Sequence, residues 1–187
     1  MVKVTEDGII LEEPVTLMWA YGSNLNFEAM RIRCPRAKPY RALYLHGGRL
    51  VFRGVADVEG VKDKRSKVAG GVWKVTPKCI ATLDAYEGVA SGLYVKRYFV
   101  FNDNGCDKAC LFYKMSSVGI QPPYESYLEI IREGYEDFGL DQYLLESAVQ
   151  HAHRNKNRTP DLHRRWLAKG KPKLALAKPN LINGRKR

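Results

Sequence analysis

Apolar and polar positions change period several times along the chain, and each change marks an element. Residues 15–20 (VTLMWA) are short, apolar and rich in β-formers, which predicts a buried strand. After Tyr-Gly-Ser-Asn, the stretch Leu25–Arg33 predicts a short helix stopped by Pro35. Residues 40–58 read as two strands joined at His46-Gly47-Gly48. Another strand follows at 69–75. Thr76 then serves as an N-cap with Pro77 at the first helical position, and Gly88 closes that helix. Two apolar runs flank Asn102–Asp107 (NDNGCD), a hairpin signal. Near 123–138 a helix places Tyr127, Leu128, Ile131, Tyr135 and Phe138 on one face, and a second helix covers about 141–153. No segment repeats another. The mixture predicts an α+β fold, with a largely antiparallel sheet or small β-barrel and helices on its flanks.

Composition narrows the setting. A chain of 187 residues, 45% hydrophobic and 27% charged, suits one globular domain with a core. No apolar run approaches the ~20 residues a bilayer span needs, and the first residues lack a signal-peptide core. Cys34, Cys79, Cys106 and Cys110 are scattered and imply no disulfide framework, so a reducing, cytoplasmic location is expected.

Charge divides the chain. Residues 151–187 hold twelve Lys/Arg against Asp161 alone, which leaves residues 1–150 balanced at nineteen of each sign. We therefore expect a domain over 1–150 and a basic tail over 151–187. Within the tail, Thr159, Pro160 and Gly170 frame a short helix over 160–169, with Leu162 and Trp166 placed to dock it. The tail could attach nucleic acid or an acidic partner. A solubilising appendage or a homodimer interface is the preferred reading, because no recognised nucleic-acid motif is present.

Two places carry chemistry. In Ala20–Leu25 (AYGSNL) a strand ends, glycine turns the chain and small polar residues open a helix. That geometry aims backbone N–H groups at an anion or a developing oxyanion, although an ordinary Gly-Ser-Asn turn would look the same. Second, Ile80, Leu83 and Glu87 fall at i, i+3 and i+7, which puts a carboxylate on an apolar helix face. Burial and a helix C-terminus both raise a carboxyl pKa, and a raised carboxyl can exchange protons near neutrality. The alternative is a glutamate that snorkels outward at a frayed last turn. Asp84, about 60° round the helix by ~100° per residue, is a rival base at the edge of the apolar stripe. Cys106 and Cys110 have no second ligand pair in reach, so no metal or other cofactor is expected. His46 reads as a turn residue, and His151, His153 and His163 as members of a solvated basic surface.

Taken together, AYGSNL, then TLDAYEGVASGLYV (82–95), then PPYESYLEIIREGYEDFGL (122–140) resemble the ordered motifs of the γ-glutamylcyclotransferase family. The resemblance covers roughly residues 15–150. It implies a small mixed barrel with flanking helices, and release of 5-oxoproline and a free amine or amino acid from a γ-glutamyl substrate. It further implies Glu87 as the catalytic acid/base. Tyr21, Gly22, Ser23, Asn24, Leu25, Tyr94 and Tyr127 would contact the substrate or the catalytic carboxylate, although either of the last two could be a packed core aromatic. A protein of another class, which keeps the pocket to bind a small ligand or uses the tail on nucleic acid without turnover, is the competing reading.

Overall fold

The computed structural model describes residues 2–5, 8–11, 14–156 and 180–181. Its strands are β1 (Val2–Thr5), β2 (Gly8–Leu11), β3 (Thr16–Ala20), β4 (Lys38–His46), β5 (Gly48–Phe52), β6 (Ala56–Gly60), β7 (Lys67–Val75), β8 (Tyr94–Asp103), β9 (Cys106–Met115) and β10 (Asn180–Leu181). The helices are α1 (Phe27–Arg33), α2 (Pro77–Tyr86), α3 (Glu125–Asp137) and α4 (Gln142–Arg154). The six-stranded sheet runs β10-β8-β9-β3-β7-β4, while β1-β2 and β5-β6 form separate two-stranded ribbons. Because β3 pairs antiparallel with β7 and parallel with β9, the sheet is mixed, and the remaining long pairings, β4-β7 and β8-β9, are antiparallel. The α+β class expected from sequence is the one observed, with the sheet left open rather than closed into a barrel.

At the Gly-Gly turn the chain leaves the sheet. His46-Gly47-Gly48 joins β4 to β5, but the two strands do not pair with each other as a hairpin would require. Gly47 adopts φ +72°, its N–H bonds the Ser66 carbonyl and its own carbonyl accepts from Val61. The turn is tied to the loop before β7, and the chain leaves the sheet to build the β5-β6 ribbon. A hairpin does form where the sequence placed it. Asn104 (φ 53°) and Gly105 (φ 87°) make the two-residue turn between β8 and β9, both in the left-handed conformation that such turns need.

The core lies between the sheet and the helices. Trp19, Met18 and Leu111 are almost fully buried on the central strands, and Leu128, Ile131 and Tyr135 bring in α3. Glycines on β7 permit this packing: a Cβ at Gly70 would stand 2.2 Å from the Trp19 ring, and one at Gly71 2.3 Å from Phe138. Phe138 in turn stands edge-on to Trp73 and Phe27, which fastens the end of α3 to the start of α1. The helix α4 runs through residue 150 to Arg154. The tail helix expected over 160–169, with Leu162, Trp166 and His163, lies outside the described residues. No described helix is long and apolar enough to cross a membrane.

Candidate active site

The strand β3 delivers its last residues into a cavity of about 200 Å³. Gly22 then turns the chain into a single 3-10 turn over Ser23–Leu25, closed by the Leu25 N–H to the Gly22 carbonyl at 2.9 Å. Asn26 caps α1 by accepting from the Ala29 N–H. The sequence expectation of a turn opening a helix therefore holds, with a 3-10 turn inserted between the two.

Helix α3 presses this loop into place. Gly134 lies so close that a Cβ there would stand 2.5 Å from the Leu25 Cβ. Glu133 accepts from the Asn26 side-chain amide at 2.6 Å, and Asp137 accepts from the Phe27 N–H at 2.6 Å. Leu25 is the exception among the expected substrate contacts. It is fully buried against α3 and does not line the cavity, because an apolar side chain at the foot of the turn gains more from the core than from a wet pocket.

Across the cavity, α2 begins where expected, with the Thr76 hydroxyl accepting from the Cys79 N–H. It ends at Tyr86. Glu87 follows as the C-cap, still in right-handed helical conformation, and Gly88 turns left-handed at φ 61°. Leu83 is fully buried, and Glu87 is only 9% exposed. Burial lifts the Glu87 carboxyl to about 7, against a weaker opposing pull from the Asn24 amide and then from Arg33.

Asn24 is fixed at three points. Its backbone carbonyl accepts from the Trp73 indole at 2.9 Å. Its side-chain Oδ1 accepts from Arg33 at 2.9 Å, which leaves Nδ2 to donate to Glu87 Oε1 at 2.7 Å. Arg33 also donates to the Ser23 carbonyl and to the Tyr86 hydroxyl, and its guanidinium lies 4.0 Å from the centre of the Tyr86 ring. The rival base is accounted for: Asp84 accepts from Lys96 at 2.7 Å and from Tyr113 at 2.8 Å, outside the cavity wall.

Three tyrosines complete the wall. The Tyr21 hydroxyl donates to the Tyr113 carbonyl. The Tyr94 hydroxyl donates to the Ala56 carbonyl at 3.4 Å, and the Tyr127 hydroxyl accepts from the Ala56 N–H at 3.2 Å. All three phenols are pushed well above their ordinary value, by burial first, so each stays a neutral hydroxyl. The cavity thus brings together Tyr21, Gly22, Ser23, Asn24, Glu87, Tyr94 and Tyr127 from the sequence reading. Sequence reasoning missed Arg33, Tyr86, Tyr113 and Ala56. Arg33 sits in a helix rich in arginine, and Ala56 acts only through its backbone, so neither gives a local signal.

A mixed-sheet α+β domain with one raised, buried carboxyl facing a Gly-Ser-Asn turn is the class that fold and site define. Residues 67–146 match the model of the AIG2-like family. The chain is similar to a gamma-glutamylcyclotransferase of Bos taurus, 31% identical over 137 residues, covering 66% of this chain and 72% of that protein. It is likewise 31% identical to the Homo sapiens gamma-glutamylcyclotransferase over 142 residues, covering 69% and 74%. A solved structure of a gamma-glutamyl cyclotransferase superposes with a TM-score of 0.63 at 26% identity, over 84% of this chain and 100% of that one. The chain belongs to the γ-glutamylcyclotransferase family.

Proposed function

We propose that this protein releases 5-oxoproline and a free amine or amino acid from a γ-glutamyl substrate, with Glu87 as the proton carrier. The observation that carries this reading is the buried Glu87 carboxyl, raised to about 7 and held by Asn24 at 2.7 Å in the cavity wall. At about 200 Å³ the cavity is smaller than the ~300–1,000 Å³ of pockets that enclose drug-sized ligands, and it suits one glutamyl arm. Related proteins named gamma-glutamylcyclotransferase support the same reaction.

In that reaction the substrate's α-amine nitrogen attacks its own γ-carbonyl carbon. A ring C–N bond forms, the tetrahedral centre collapses, and the original C–N bond breaks to release the amine. Holding the arm folded supplies orientation. An α-amine with pKa near ~8 is already about one-tenth neutral at pH 7, so its deprotonation is not the main obstacle. Expulsion of the leaving nitrogen requires a proton. Glu87 takes one from the attacking nitrogen and returns it to the leaving one, a role typically worth about 10²–10⁴-fold and most effective when the pKa lies near the working pH. The turn at Gly22–Asn24 offers N–H groups to the substrate's carboxylate or oxyanion. Tyr21, Tyr94 and Tyr127 present neutral hydroxyls around the arm.

The test is 5-oxoproline release from a panel of γ-glutamyl amino acids and amines, comparing wild type with Glu87→Gln. Turnover reduced by about 10²–10⁴-fold, with ligand affinity nearly kept, is the expected result. Binding of a glutamyl ligand with no turnover of any panel member by the wild type would sink the reading and leave a binding protein.

A further inference from the structure

A second cavity lies between β5, the start of β7 and α4, apart from the Glu87 pocket, and encloses about 400 Å³. Its inner surface is apolar, from Leu50, Val68, Leu144 and Ala148. Around it stand Arg49, Arg65, Lys67 and Arg154. Arg49 is paired with Glu59 and Arg65 with Asp63. Lys67 rests over the Tyr44 ring at 4.7 Å, and Arg154 donates to the Gln150 carbonyl at 3.4 Å. No carboxylate among the described residues forms an ion pair with either. His151, also in the wall, is held below the ordinary imidazole value by burial and then by Arg49, Glu59 opposing and Arg154 adding.

The wall also holds a buried polar group. Tyr135 of α3 is fully buried in the wall of this cavity. Among the described residues its hydroxyl is the buried side-chain polar atom left without a hydrogen-bond partner.

We propose that this cavity is a second binding site, for a small organic anion. Its carboxylate or phosphate is held by Lys67 and Arg154, and its apolar body lies on Leu50, Val68, Leu144 and Ala148. A volume of about 400 Å³ falls within the ~300–1,000 Å³ range of small-molecule pockets. The site is independent of the reaction proposed for Glu87.

Calorimetric titration of the full chain at low ionic strength tests it, with phenyl phosphate, benzoate, inorganic phosphate and neutral benzyl alcohol as probes. Phenyl phosphate or benzoate is expected to bind saturably at one site, and benzyl alcohol not to bind. The better of the two anions then says whether the head is phosphate or carboxylate. The double variant Lys67→Ala/Arg154→Ala, which leaves the Glu87 pocket untouched, is expected to lower that affinity by about tenfold, the scale of two partly exposed charge contacts. Three results would each overturn the proposal. One is no saturable binding of either organic anion up to about 10 mM, the weak end of specific affinities. Another is affinity unchanged in the double variant, and the third is inorganic phosphate binding as tightly as phenyl phosphate, which would leave the apolar surface without a role.

Discussion

On one side of the tyrosine cluster Asp57 is fully buried, yet every approach to it brings a partner. Arg53 donates to it at 2.7 Å, the Met115 N–H at 3.0 Å, and the Lys114 ammonium stands 3.6 Å away. On the other side Glu87 is nearly as buried and receives one amide hydrogen bond, with Arg33 held one residue further off on Asn24. After burial, which comes first, both carboxyls add to the rise of the Tyr21 and Tyr94 phenols. The compensated carboxylate fixes β6 to β9 and so places Ala56, whose N–H and carbonyl meet Tyr127 and Tyr94. The under-compensated one is lifted to about 7, where a proton can come and go. Burial with the counter-charge held at a distance is what raises this carboxyl.

Breaking the compensated side has the largest expected effect on stability. Asp57→Ala takes from Arg53, whose side chain is 8% exposed, its nearer carboxylate, leaving Glu59 at 3.4 Å, and it strips the buried Met115 N–H of its acceptor. A loss of about 3–5 kcal/mol in urea unfolding is expected. Next comes the loop that carries Asn24 to Glu87. Gly134→Ala puts a Cβ 2.5 Å from Leu25, which overpacks the contact by about 1–3 kcal/mol. Turnover should fall further than stability predicts, because the displaced loop holds Asn24.

The uncompensated side can be sharpened through pH. Glu87 binds its proton more tightly folded than unfolded, so the folded state loses stability as pH rises from about 4.5 to about 7. Glu87→Gln removes that cost. The variant should therefore be more stable than wild type above pH 7, by on the order of 1–3 kcal/mol, with the gap closing below pH 4.5. Thermal melts across pH 4–9 would measure it, and a constant difference would contradict a raised carboxyl. Smallest is the effect of Arg33→Gln. Removing the cation withdraws one influence that lowers the Glu87 carboxyl, so the acidic limb of kcat/KM should move to higher pH. A limb that moves downward would place Arg33 outside the field of Glu87.

Much of the fold was readable along the chain. The Thr76 cap, the Pro77 start and the Asn104-Gly105 turn act within a few residues of themselves, and each occurs where the local chemistry required it. The apolar face of α3 was also legible from its period, including Leu128, Ile131 and Tyr135. The partner of β4 was not. Local signals located a glycine turn at 47, but whether the next strand folds back or leaves the sheet depends on hydrogen bonds to Ser66 and Val61. Leu25 failed for a related reason, since its neighbour in a polar turn is Gly134, a residue more than a hundred positions away.

By itself, the sequence determined that a glutamate stands on an apolar helix face one residue before a left-handed glycine, and that a polar turn follows the first buried strand. Those are properties of spacing and backbone preference, which short stretches carry alone. Only the tertiary structure decided which carboxyl is buried in the cavity wall and raised, and which is paired outside it. Asn24 meets Glu87 across 63 residues, Arg33 orients the amide between them, and Lys96 with Tyr113 occupies Asp84 instead. Desolvation and Coulomb energies depend on through-space distance and on excluded water, and the folded chain alone sets both.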